Sequence, residues 1–159
     1  MPDNIFDYLF LIFITFLGVS PIFFFVQNRK IIAKYKQPDS RELKNISGKI
    51  ILENGFLRKK IHWCSFDVLM NQNSVFLFPA DFYFIPRRFI NLTFNSDKKN
   101  TKSPTGLREF SFNRDNIVLV SYPDFLVNQK RTIYLQNLTP EQIMLFQEAL
   151  KNRMPSVLH

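Results

Sequence analysis

The run IFDYLFLIFITFLGVSPIFFFV, residues 5–26, limits this chain more than any other stretch. Its 22 residues carry one formal charge, Asp7, and every Lys and Arg of the chain follows it. A helix of that length is about 33 Å long at roughly 1.5 Å per residue, enough for a hydrocarbon core of roughly 30 Å. A cleaved secretory signal would place positive charge before a shorter apolar stretch and small residues after it. Here the flank MPDN has no Lys or Arg. The pattern predicts a transmembrane helix within residues 1–28. Arg29, Lys30, Lys34 and Lys36 follow directly. Positive residues stay on the cytoplasmic side, so the expected topology is single-pass in the inner membrane, N-terminus outside and the remainder cytoplasmic.

Residues 29–45 read as a basic juxtamembrane connector, with Pro38 interrupting any continued helix. From Ile46 onward the apolar period shortens to two. GKIILENGFLRKKIHW predicts a hairpin about a tight Asn54-Gly55 turn. SFDVLMNQNSVFLFP predicts a second strand pair, with Phe66, Val68 and Met70 on one face. LREFSF and NIVLVSY pair over NRD, and RTIYLQ is a last strand. LTPEQIMLFQEAL then opens a helix. Thr139 caps it, Pro140 takes the first helical position, and Gln142 completes a capping box. Leu138 is placed to staple onto Ile143, with Ile143, Phe146 and Leu150 on the buried stripe.

Seven or eight short strands and one closing helix, with no long crossovers, exclude a doubly wound parallel sheet. The expected class is α+β, mainly antiparallel β. The element order, the phrase GKIILENGFLRKKIHW and the closing LTPEQIMLFQEAL resemble the pleckstrin-homology-like superfold, including bacterial PH and GRAM-like modules tethered to membrane helices. The resemblance implies a curved sheet or barrel over residues 46–154, capped by the C-terminal helix. It also implies basic contacts on the first two strands, at Lys49, Arg58 and Lys60.

The chemistry-bearing residues are few. His62 and Cys64 are two apart on a strand and could form a nucleophile pair. The plainer alternative is a strand with Trp63 pointing inward and its neighbours outward. One Cys and two His do not make a zinc site, and four Gly leave little for a phosphate loop. The lone Cys64 cannot form an internal disulfide. No cofactor is expected.

With 21 Lys and Arg against 13 Asp and Glu, the chain has a basic surface. Arg29, Lys30, Lys34, Lys36, Arg58, Lys60, Arg87 and Arg88 are the candidate contacts to a membrane surface or a partner. The expected function is a membrane-anchored, non-enzymatic binding or scaffolding module. Its partners are the lipid bilayer and a protein; nucleic acid is disfavoured. An anionic-lipid-sensing regulator and a small membrane-bound enzyme are the alternatives.

Overall fold

The computed structural model describes residues 5–55, 58–82, 85–94, 104–123 and 129–151, with the backbone alone at residues 7, 16, 17, 20, 21, 129 and 151. Helix α1 (Ile5–Tyr35) precedes strands β1 (Arg41–Asn54), β2 (Arg58–Met70), β3 (Ser74–Asp81), β4 (Ile85–Pro86), β5 (Ile90–Thr93), β6 (Pro104–Asn113), β7 (Asn116–Ser121) and β8 (Gln129–Gln136). Helix α2 (Pro140–Lys151) follows.

The strands run in the order β2-β1-β8-β7-β6-β5-β3-β4, and β2 also pairs with β3. That pairing closes seven strands into a barrel and leaves β4 as an addition on β3. Every pair is antiparallel except β5 with β6. Period-two alternation fills the interior. Ile46 and Ile50, Phe66 and Val68, Leu77, Leu92, Leu119 and Ile133 meet in one buried cluster. Helix α2 closes one end by adding Phe146 and Leu150 to it.

The capping box on α2 forms as read. The Thr139 amide donates to Gln142 Oε1 at 2.9 Å, and the Gln142 amide donates to Thr139 Oγ1 at 3.2 Å. The β1–β2 hairpin is also present, but its turn is not the two-residue form. Asn54 is still paired, with Arg58, and Gly55 takes the left-handed conformation, at φ 63°.

Helix α1 does not stop at the apolar-to-basic step. It runs on through Arg29, Lys30 and Lys34 to Tyr35, where a separate connector was expected. Its last turns dock outside the barrel. Ile31, Ile32 and Tyr35 pack on Leu69, Phe76, Phe78 and Phe89, and the Tyr35 ring stacks on Phe76 at 5.1 Å. Asn71 fastens the end by donating Nδ2–H to the Tyr35 carbonyl at 2.6 Å, which satisfies one of the acceptors a helix leaves open. Further up, from Ile5 to Val26, the large apolar side chains described on α1 are mostly exposed.

The structure therefore corrects the expected fold of a transmembrane helix followed by a PH-like sheet. The chain forms a closed seven-strand barrel. Among the described residues no helix is long and apolar enough to cross a membrane. Past Val26 helix α1 turns basic, and its last turns pack on the barrel instead of leading into a separate connector. The transmembrane and membrane assignments, the single-pass inner-membrane placement and its outside-to-cytoplasm orientation fall with it.

Candidate functional site

The wall of the barrel is incomplete between β2 and β3. Strand β2 pairs with β1 from Arg58 to Met70, with one irregularity at Asp67. It pairs with β3 only from Ser65 to Met70. Among the described residues the other edge of Arg58–Cys64 therefore has no neighbouring strand. Such an edge presents a row of backbone donors and acceptors for another strand.

The side chains on this stretch divide by parity. Phe66, Val68 and Met70 point inward, so Cys64 and His62 lie on the same inner face, and Ile61 and Trp63 point out. The inward Trp63 expected from the sequence is thus reversed: it is 66% exposed, and Ile61 is 50% exposed. Phe82, across the gap, is 77% exposed and held at φ 49°. A bulky residue in the left-handed region is a strained choice. Trp63, Ile61 and Phe82 border a groove of about 580 Å³ that runs over the open edge. Lys49 sits beside it, its ammonium 4.9 Å from the Trp63 ring and 4.9 Å from the Tyr134 ring.

Inside the open edge lies a second cavity of about 370 Å³ at the uncapped end of the barrel. Ile50, Leu52 and Phe89 form apolar walls, with Phe24 reaching in from α1. Arg87, Arg88 and Arg131 supply three guanidiniums, against one carboxylate, Asp81. Asp81 is already engaged, accepting from Arg87 Nε and Nη2 at 2.5 Å. Arg87 Nη1 also lies 3.4 Å from His62 Nδ1. Burial, then the charges of Arg87 and Lys60, hold the His62 pKa below its ordinary value, against an opposing effect of Asp81.

Cys64 is no activated nucleophile. Burial, with Asp81 adding to it, pushes its thiol up to about 12, and its sulfur faces the His62 carbonyl rather than the imidazole. A reactive cysteine needs the opposite shift. Among the described residues no group of three or more His, Cys, Asp and Glu could hold a metal ion.

The candidate cations do not form one face. Lys36 pairs with Glu42 at 2.7 Å. Arg29 lies over the Phe25 ring at 4.8 Å, and Lys34 over Tyr35 at 5.4 Å. Lys30 is exposed on α1. These four sit on or just beyond the docked helix, and none of them lines the cavity at the barrel mouth. Arg58 and Lys60 are exposed on the open edge, and Lys60 shares the inner-facing parity of His62. Arg87 and Arg88 line the mouth.

Arg131 is not among the candidate contacts, since in the sequence it reads only as half of the basic pair Lys130-Arg131. It shares parity with Ile133 and Leu135, so it must face inward on β8. No protein-family model matches the chain, and no curated protein matches it either.

Proposed function

We propose that this protein is a non-enzymatic binding module that takes an extended segment of a partner protein along the open edge of β2. The observation that carries this reading is the unpaired run Arg58–Cys64 beside a groove bordered by exposed Ile61, Trp63 and Phe82. Main-chain hydrogen bonds to such an edge provide affinity, and pockets for alternate side chains provide selectivity. Exposed aromatics at the groove fit the large, rigid anchors that dominate protein interfaces. Arg58 and Lys60 border the edge and favour a segment with acidic side chains. The raised thiol pKa of Cys64 argues against the small-enzyme alternative. The scattering and pairing of the basic residues weaken the alternative of a broad lipid-sensing face.

The test is site-specific photocrosslinking in cells. A crosslinker at Ile61 or Phe82 should capture a discrete protein partner. The same group at Glu109, exposed on β6 in the far wall, should not. Replacing Ile61 by Pro, which removes a backbone donor, should abolish capture at Phe82. Equal capture at Glu109, or capture at Phe82 that survives Ile61→Pro, would refute strand addition.

A further inference from the structure

Arg131 is anomalous. It is half-buried on the inner face of β8 and, among the described residues, makes no ion pair or hydrogen bond. Burial and the charge of Arg88 both act to lower its pKa. A guanidinium stays protonated across the accessible pH range, so the charge remains in place and needs a counter-charge. Among the described residues the barrel offers none: the cavity's one carboxylate is held by Arg87. Ser121 lies directly opposite Arg131 in the β7–β8 register. Its hydroxyl is fully buried and has no hydrogen-bond partner. Paired residues on neighbouring strands share a face, so a donor hydroxyl and an unpaired guanidinium stand side by side at one level of the barrel. Leu52, on the other side of Arg131 in register, begins the apolar wall.

We propose that the mouth of the barrel binds a small anion carried on an apolar body, its head group held by Arg131 and Arg88 and its body against Phe24, Leu52 and Phe89. The forked donors of arginine match carboxylate and phosphate oxygens. A cavity of about 370 Å³ falls within the range of small-molecule sites, and an apolar lining with a few converging polar groups is their usual character. This inference goes beyond the strand-addition reading and does not depend on it. The groove residues Trp63 and Phe82 do not line this cavity.

The experiment is calorimetric titration of the purified full chain with decanoate, decyl phosphate and decanol, each below its aggregation concentration. One of the two anions should bind saturably, at one per chain, and at least tenfold more tightly than decanol. Arg131→Gln should weaken that binding at least tenfold and Arg88→Gln severalfold, while Trp63→Ala leaves it unchanged. A melt of the ligand-free Arg131→Gln protein separates binding from folding. If Arg131 serves a ligand, removing an unpaired half-buried charge leaves the midpoint unchanged or raises it. A lowered midpoint would make Arg131 a structural residue and overturn the proposal. Sedimentation with phosphatidylcholine vesicles, with and without phosphatidylglycerol, distinguishes the source. Arg131-dependent binding to the anionic vesicles identifies a lipid head group; anion binding without vesicle binding identifies a free amphiphile. Decanol binding as tightly as both anions, or no binding by either anion, would refute the site.

Discussion

Gly48 is the position where this barrel tolerates a side chain least. It lies on β1 facing Leu135 of β8, next to the Lys49–Tyr134 pair, and is buried. A methyl group there would meet the Tyr134 carbonyl oxygen well inside the 3.0 Å that real Cβ atoms keep, and the Phe66 ring at 2.9 Å. The carbonyl belongs to the neighbouring strand and cannot rotate away as a side chain could. Gly48→Ala must therefore push β8 from β1 or tilt Phe66, whose side chain is fully buried in the core. Overpacking of this kind costs about 1–3 kcal/mol. One ladder hydrogen bond stretched out of range adds about 1 kcal/mol. The expected loss is about 2–4 kcal/mol, read as a lowered midpoint in urea unfolding of the full chain. Gly106→Ala is the matched control, because a methyl group there meets nothing within 4 Å and the backbone is not left-handed. If the two variants unfold at the same urea concentration, the close approach of β1 and β8 is wrong, and with it the closure of the barrel.

Three further outcomes follow from the same geometry. Asn71→Ala removes the donor that holds the Tyr35 carbonyl. It should cost about 1–2 kcal/mol, seen as faster amide exchange in residues 31–36 while the barrel core is unchanged. Cys64, with its thiol pushed up to about 12, should resist thiol reagents at pH 8 in the folded chain and react promptly in denaturant; equal rates would refute its burial. The folded His62 pKa lies below its unfolded value of roughly 6.5. The unfolded chain then binds more protons as pH falls through that value. Stability contributed by neutral His62 is complete above about pH 6.5 and declines below it, and His62→Gln should flatten the slope in urea midpoints measured across that window.

Much of the β structure was legible because its punctuation is local. Asn54-Gly55, NQNS and NRD each mark a reversal, and the Thr139–Gln142 box marks the helix start to the residue. Closure of the barrel was not legible, since β1 pairs with β8 across roughly 80 residues of chain and no short-range pattern encodes that register. Hydropathy of the N-terminal helix does not show where it docks, because the docking stripe lies past the apolar run. Asn28, Ile31, Ile32 and Tyr35 recur at helical spacing beyond the apolar run, and that stripe is the face that docks. At the site, the fault lay in one choice of parity. Extending the inward face of Phe66, Val68 and Met70 back along β2 turns Trp63 outward and His62 and Cys64 inward. The same argument on β8 finds Arg131.

The central claim is that Arg58–Cys64 offers an open strand edge. Residue-resolved amide hydrogen exchange of the full chain tests it most directly. Over Ser65–Met70, where β2 has neighbours on both sides except at Asp67 beside the β1 irregularity, the amides other than that of Asp67 should be protected. Over Arg58–Cys64 protection should alternate, with amides aimed at β1 slow and those between them exchanging at close to the rate of exposed backbone. Uniform slow exchange from Arg58 to Met70 would mean that the edge is already covered within the chain, and would contradict the account.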